Sequence, residues 1–186
     1  MSSHHVVREN QEPALVVEEV QALSEEYLGQ LLEWSPTLIT TPQQIDYFLM
    51  QDIKIDVLYG VSTDQYQEDI KVILPEKDFL TDSIQYLIAH GHKAVNILTK
   101  TISEHILSFA DAINIVLFCE GIRYVVIREK YEKWKTKGDR MFVEPSQIKS
   151  FNGLRYVEGN IFQVEQDGFV ALEMNTDQYI IVGEEV

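Results

Sequence analysis

Residues 53–64 read Ile-Lys-Ile-Asp-Val-Leu-Tyr-Gly-Val-Ser-Thr-Asp. The change at Gly60 from a mainly apolar run to a more polar segment decides the fold. The mainly apolar run from Ile55 to Tyr59 predicts a buried strand. Gly60 predicts a sharp turn or a close approach of the backbone to a ligand. Ligands of open α/β sheets bind beyond the carboxyl ends of such strands, so the segment after Gly60 is the first candidate site.

Strands and helices alternate on both sides of this stretch as far as residue 130. The apolar runs predict strands at residues 14–17, 37–40, 55–59, 71–74, 94–98 and 124–127. Apolar residues at helical spacing predict helices after Ser24 and Thr41, and over residues 81–90 and 101–118. This alternation predicts a mainly parallel sheet that helices cover on both faces.

The pattern changes after about residue 130. Short alternating runs predict strands at residues 141–143, 154–157, 161–164, 169–174 and 179–182. Asp167-Gly168 predicts a hairpin turn. The basic and aromatic segment 128–137 could contact an anion, but it is interpreted as a solvated interdomain linker with Trp134 anchored in the core. We therefore expect an α/β domain over residues 13–130 and a small antiparallel β-sandwich over residues 131–186.

Composition narrows the functional classes. The chain has 186 residues and a formal net charge of -15, which disfavours nucleic-acid binding because the phosphate backbone is also negative. No run is long and apolar enough for a membrane span, and the N-terminus does not look like a signal peptide. The single cysteine, Cys119, excludes an internal disulfide and is expected to be a small buried hydrophobe. These features favour a cytoplasmic protein.

Five segments carry a resemblance to a known family. They read Tyr27-Leu-Gly-Gln-Leu-Leu-Glu-Trp-Ser-Pro, Ile53-Lys-Ile-Asp-Val-Leu-Tyr-Gly, Gly91-His-Lys-Ala-Val-Asn-Ile, Tyr131-Glu-Lys-Trp and Val164-Glu-Gln-Asp-Gly-Phe-Val. Together they resemble thiamine pyrophosphokinase of the Bacteroidetes type from Ala14 to the end of the chain. The family transfers pyrophosphate from ATP to thiamine, and its architecture is an α/β domain followed by a β-sandwich. The resemblance also implies a homodimer with sites between subunits.

The resemblance is weakest where the family holds Mg²⁺ and phosphates. After the central strand the family has Gly-Asp-x-Asp-Ser, whereas this chain has Val61 and Thr63 at the carboxylate positions. Mg²⁺ requires hard oxygen ligands. A register shift of one residue would bring Asp64 in beside Gly60 and supply one carboxylate rather than a cluster.

Two further family motifs are also replaced. In Thr/Asn-Asp-x-x-Lys, Asp78 takes the first position, Phe79 takes the Asp position and Asp82 takes the Lys position. Asp78 and Asp82 are interpreted as a helix cap and a first-turn acid. In Gly-x-x-x-Asp-His, the Asp and His positions hold Ile106 and Leu107.

Two residues are weaker ligand-binding candidates. Asp111 takes the position of a later asparagine of the family, and Asn160 lies where the family has a Ser-x-Asn-type stretch. His90 and His92 flank Gly91 but have poor metal-ligand spacing, so no metal site is predicted.

Two hypotheses follow from these substitutions. The first is a noncatalytic relative of thiamine pyrophosphokinase, a homodimeric binding or interaction module that retains thiamine or thiamine diphosphate as a candidate ligand. The second is an active thiamine diphosphokinase with displaced ligands, which would use Mg²⁺ and ATP.

Overall fold

The computed structural model describes residues 12–60 and 69–186 and contains two sheets. The strands are β1 Ala14–Val17, β2 Leu38–Thr40, β3 Val57–Tyr59, β4 Lys71–Ile73, β5 Ala94–Leu98, β6 Asn114–Cys119, β7 Ile122–Ile127, β8 Lys130–Lys135, β9 Arg140–Phe142, β10 Ile148–Asn152, β11 Leu154–Glu158, β12 Ile161–Val164, β13 Gly168–Met174 and β14 Ile180–Glu185. The α-helices are α1 Glu25–Leu32, α2 Ile45–Met50 and α3 Phe79–Ala89, and 3₁₀ turns span Val20–Ala22, Glu104–Phe109 and Pro145–Gln147.

The large sheet has a parallel part and an antiparallel part. Its order is β11-β12-β9-β14-β7-β6-β5-β1-β2-β3-β4. Six adjacent strands pair in parallel, in the spatial order β6-β5-β1-β2-β3-β4. Strand β7 pairs antiparallel with both β6 and β14. The second sheet, β10-β13-β8, is antiparallel.

Successive residues of β1 point to opposite faces of the parallel sheet, and both faces are buried. Ala14 and Val16 belong to the core that packs against α3 and the 3₁₀ turn Glu104–Phe109. Leu15 and Val17 belong to the core formed with α1 and α2. This two-sided burial explains why the strand reads as a continuous apolar run.

Local signals at the start of α1 and the end of α3 agree with the predictions, whereas α2 begins at Ile45, after Gln44, rather than directly after Thr41. The Ser24 side chain accepts a hydrogen bond from the backbone N–H of Tyr27 at 3.3 Å and caps α1. Gly91, with φ +82°, adopts the left-handed conformation just after α3.

The antiparallel half forms a third core between its two sheets. The side chains of Met141, Phe162, Val170, Leu172 and Val182 are buried there. The predicted fold class, a mainly parallel α/β sheet followed by a small β-sandwich, is confirmed. The domain division at residue 130 stays a prediction; the hydrogen-bonded sheet continues from β7 into β14.

The predicted helix over residues 101–118 is wrong. The chain forms a 3₁₀ turn over Glu104–Phe109 and then strand β6, which pairs in parallel with β5. A short apolar run in a buried strand has no period that separates it from a buried helix. Cys119 therefore ends a strand rather than a helix, and it is buried as expected.

Three expectations for the antiparallel half are also wrong. The segment predicted as a linker is strand β8, and Trp134 is 53% exposed rather than anchored in the core. Asp167-Gly168 does not close a hairpin, because β12 belongs to the large sheet and β13 to the small one. Strand β10, at the edge of the small sheet, was not expected at all. Turn residues show where the chain bends but not which strand becomes its neighbour.

Candidate functional site

The candidate site lies at the edge where β1, β2, β3 and β5 end. The strand order reverses at β1, since β2 pairs with one side of it and β5 with the other. Such a reversal opens a crevice beyond the carboxyl ends of the two strands, the usual ligand position in α/β sheets. The residues that follow β1 and β5 therefore line the candidate crevice.

Glu18 and Thr99 connect the two sides of this crevice. Thr99 Oγ1 lies 2.6 Å from Glu18 Oε2, and the backbone N–H of Lys100 lies 3.4 Å from the same oxygen. Lys100 Nζ also pairs with Glu19 Oε2 at 3.1 Å. These polar groups, which belong to the described part of the crevice, are therefore engaged with one another.

Gly60 makes the turn that the sequence predicts. Its φ is +89°, a conformation that side chains rarely adopt. Its backbone N–H donates to the carbonyl of Ile73 at 2.8 Å. The backbone amide of Gly60 is thus engaged in a hydrogen bond that connects the ends of β3 and β4.

Asp82 is the most constrained acid at this edge. It is 6% exposed, and its Oδ2 accepts hydrogen bonds from the backbone N–H groups of Glu76 and Lys77, each at 2.9 Å. The Tyr59 hydroxyl lies 3.2 Å from the same oxygen. Burial alone would raise the pKa of Asp82, but the hydrogen bonds from Lys77 and Glu76 outweigh it and lower the pKa. Asp82 is therefore an ionised anchor for the loop before α3.

Asp78 and Phe79 have structural partners as well. Asp78 caps α3, since its Oδ1 accepts from the backbone N–H of Thr81 at 3.0 Å and its Oδ2 accepts from the Thr81 hydroxyl at 2.6 Å. Phe79 is buried, with its ring centroid 5.3 Å from that of Tyr59 in an edge-on contact. The capping interpretation of Asp78 is confirmed, whereas Asp82 does more than complement the helix dipole.

Two further candidate positions, Ile106 and Asp111, lie in the core and at the surface, respectively. Ile106 is 2% exposed and packs in the core beside α3. Asp111 Oδ1 accepts a hydrogen bond from the Tyr179 hydroxyl at 2.9 Å, a contact between the two halves of the chain. This hydrogen bond is the main cause of the raised pKa of Tyr179.

Leu107 and Asn160 line one cavity of about 500 Å³ between the 3₁₀ turn Glu104–Phe109 and the antiparallel half. The backbone carbonyl of Asn160 accepts from the N–H of Val143 at 2.8 Å. Aromatic, amide and acidic side chains that line the cavity include Glu104, Tyr124, Phe142, Glu144, Asn175 and Gln178. The structure therefore brings Leu107 and Asn160, two candidates from the sequence that are 53 positions apart, to the same cavity.

The candidates Val61, Thr63 and Asp64 lie outside the described residues. Across residues 12–60 and 69–186, no three His, Cys, Asp or Glu side chains form a group that would hold a metal ion. The helices in these ranges lack the length and hydrophobicity of a membrane span.

A second cleft, of about 450 Å³, lies at the opposite edge of the parallel sheet and is lined by Asp56, Asp69, His90 and His92 among others. The buried Nδ1 of His92 has no hydrogen-bond partner among the described residues. Burial lowers the pKa of His92, and His90 lowers it further.

Sequence reasoning missed a charged cluster in the antiparallel half. Glu184 is 2% exposed and contacts Arg123, Lys133 and Lys135. It also accepts a hydrogen bond from the Tyr131 hydroxyl at 3.0 Å. The alternation Tyr131, Lys133, Lys135 on one strand was the available signal, because residues two apart share a face. Sequence reasoning also missed Glu18 and Thr99, which are 81 positions apart.

Comparison with known proteins extends these observations. No family model and no curated protein sequence matches the chain. Solved structures do match over nearly its full length. The thiamine pyrophosphokinase of Bacillus subtilis has a TM-score of 0.62 at 13% identity, over 93% of this chain and 98% of that protein.

Two fungal structures agree with the bacterial one. The yeast enzyme has a TM-score of 0.67 at 8% identity, over 97% of this chain and 88% of that protein. Thiamin pyrophosphokinase from Candida albicans has a TM-score of 0.62 at 11% identity, over 94% of this chain and 90% of that protein. The resemblance inferred from the sequence is thus confirmed at the level of the fold: the chain has the fold of the thiamine pyrophosphokinases.

Proposed function

We propose that this protein is a thiamine pyrophosphokinase-like protein that does not transfer pyrophosphate and acts as a binding or interaction module. The observation that carries the proposal is the environment of Asp82. The sequence resemblance implies a lysine at this position, where a cation would meet phosphate. Here a buried, ionised carboxylate accepts hydrogen bonds from its own loop.

The described residues at this edge do not fit Mg²⁺ and ATP. Mg²⁺ needs free, hard oxygen ligands, and Asp82 Oδ2 already lies near three donors. Phosphoryl transfer depends on cations and metal ions that stabilise negative charge in the transition state. Lys100, the lysine that follows β5, is paired with Glu19.

Two further positions support the loss of catalysis. Phe79 and Ile106 occupy places where the resemblance implies carboxylates, and both are buried among apolar side chains. Apolar side chains neither coordinate a metal nor carry a proton. Both positions therefore contribute to packing.

A ligand-binding role is supported by the cavity that Leu107 and Asn160 line. Its aromatic and amide side chains suit a heteroaromatic ring. Glu104 and Glu144 are its charged lining residues, and they favour a cation over a polyanion. The proposed order of affinity is therefore thiamine, then thiamine diphosphate, then ATP.

We expect no AMP release above background from the protein with ATP, Mg²⁺ and thiamine. Each missing electrostatic contact costs on the order of a hundredfold or more in rate. For the same reason, Val61→Asp is expected to recover little activity, because one carboxylate does not restore the other positions. A coupled assay measures AMP, with an active thiamine pyrophosphokinase as the positive control.

Calorimetric titration of the same preparation with thiamine, thiamine diphosphate and ATP shows whether it is competent to bind ligands. Robust turnover that Asp64→Asn abolishes would establish the alternative, an active diphosphokinase with a displaced metal site. Absence of turnover together with absence of thiamine binding would restrict the proposal to interaction with a protein partner.

We also propose a homodimer in which the antiparallel half provides the contact. Trp134 and Phe169 are paired neighbours on β8 and β13, and they are 53% and 68% exposed. Adjacent exposed aromatic side chains are typical of interaction surfaces.

Light scattering is expected to give the mass of a dimer that Trp134→Glu converts to a monomer. Trp34→Glu is the matched control, since Trp34 is 68% exposed on the α/β half. A monomer mass for the unmodified protein at every concentration would contradict the dimer. If Trp134→Glu and Trp34→Glu dissociated the dimer equally, the result would give no support for Trp134 in the dimer contact.

A further inference from the structure

Three cations of the antiparallel half converge on a single carboxylate. Arg123 is the cross-strand neighbour of Glu184, and Lys133 and Lys135 reach Glu184 from the opposing sheet. The charge of this cluster, which we call the Glu184 cluster, is three positive against one negative. The excess is notable in a chain whose net charge is -15.

The excess has no second ion-pair partner among the described residues, although Glu185 lies within electrostatic range of Lys135. Glu185 forms its own ion pair with Arg140, so that pair adds no net charge. The Tyr131 hydroxyl is a neutral donor to Glu184. Among the described residues, no other carboxylate forms an ion pair with Arg123, Lys133 or Lys135.

The cluster retains donors and access to solvent. Lys133 Nζ lies 2.8 and 2.9 Å from the two oxygens of Glu184, and its side chain is 47% exposed. The Arg123 side chain is 28% exposed, and one of its five N–H donors contacts Glu184. Lys135 is 9% exposed, so its charge is largely removed from water. Lys135 is compensated by the buried carboxylate of Glu184, so the two charges in excess are those of Arg123 and Lys133, which reach solvent.

We propose that the Glu184 cluster binds an oxyanion of the phosphate class, either free phosphate or the phosphoryl group of a phosphate monoester. A dianion matches the excess of two positive charges. The planar donors of Arg123 suit paired oxygens, and Lys133 supplies a flexible ammonium group. This site lies in the antiparallel half and is independent of the proposed thiamine pyrophosphokinase-like function.

The full-length protein is titrated calorimetrically with inorganic phosphate and, separately, with glycerol 3-phosphate. We expect a dissociation constant of about 1 mM or tighter for at least one of them. Lys133→Gln is expected to weaken binding by about tenfold or more, because it removes one charge-assisted contact. Tighter binding of the monoester would identify a phosphorylated ligand, tighter binding of inorganic phosphate would identify the free ion, and equal affinity would support a site that recognises the phosphoryl group alone.

Lys130→Gln is the matched control. Lys130 lies on the same strand but on the opposite face, where it pairs with Glu132, so its removal is expected to leave phosphate binding unchanged. Arg123→Gln is a second variant that tests the cluster if Lys133→Gln proves unstable. Circular dichroism confirms the fold of each variant.

Three results would overturn the proposal. The first is absence of heat and of thermal stabilisation by both probes at concentrations well above 1 mM. The second is equal weakening by Lys133→Gln and Lys130→Gln. The third is the same stabilisation by sodium chloride at matched ionic strength, which would show general screening rather than a site.

Discussion

Replacement of Glu184 by glutamine is expected to lower the free energy of unfolding by about 3 kcal/mol near neutral pH, the lower end of the range for a broken buried ion pair. The variant keeps the shape of the side chain but leaves Arg123, Lys133 and Lys135 facing one another without a carboxylate. The half-exposed Lys133 can turn toward water, which limits the cost.

The pH dependence of the same variant follows from the pKa of Glu184. Burial alone would raise this pKa, but hydrogen bonds from Lys133 and Lys135 lower it from 4.5 to about 2. A carboxyl with a lowered folded-state pKa stabilises the protein above the unfolded pKa and loses this effect as the pH falls through the folded one. The difference between the two proteins is therefore expected to shrink from about 3 kcal/mol at pH 6 to about 0.4 kcal/mol at pH 2 and to vanish below that pH.

Urea unfolding at several pH values measures this difference. Glu185→Gln is the control, because Glu185 is the adjacent residue but forms a more exposed pair with Arg140. Exposed pairs contribute about 0–1 kcal/mol, so this variant is expected to change stability little. Equal effects of the two substitutions would show that the Glu184 cluster does not hold the two sheets together.

Replacement of Asp82 by alanine is expected to cost about 3 kcal/mol, because it removes an acceptor from backbone donors that lie in a partly buried loop. The N–H groups of Glu76 and Lys77 and the Tyr59 hydroxyl all lose their contact with Oδ2. We also expect faster amide hydrogen exchange at Glu76 and Lys77, since the loop loses its anchor.

Asp78→Ala is the matched control on the same helix. It removes an N-cap, which typically costs about 1 kcal/mol. Denaturant unfolding compares the two variants, and NMR-detected exchange locates the change. If Asp82→Ala costs no more than Asp78→Ala and leaves exchange unchanged, Asp82 is not the anchor of this loop, and the main support for the noncatalytic proposal falls with it.

Several elements were predictable because their signals are local. A cap such as Ser24 or Asp78 contacts residues three positions away, and a left-handed glycine such as Gly91 depends on its own backbone. The strands β1 and β5 were predicted with correct bounds, because continuous apolar runs fit strands that are buried on both faces.

Other elements depended on neighbours that the sequence does not display. The run 114–119 became a strand because β5 offered backbone partners along its whole length. Trp134 faces solvent because β8 pairs with β13 in a register that turns Tyr131, Lys133 and Lys135 inward. A local pattern does not specify which face of a strand meets the core when both faces carry aromatic residues.

The sequence by itself determined most of the α/β pattern, the caps at Ser24 and Asp78, the turn at Gly60 and the replacement of the motif residues at Phe79, Asp82 and Ile106. Only the tertiary structure decided the roles of Glu18, Asp82 and Glu184. Glu18 meets Thr99 across 81 positions, and Glu184 meets Arg123 across 61. The physical reason is range: caps and turns act over a few bonds, whereas burial and ion pairing depend on which distant segments share a sheet or a core.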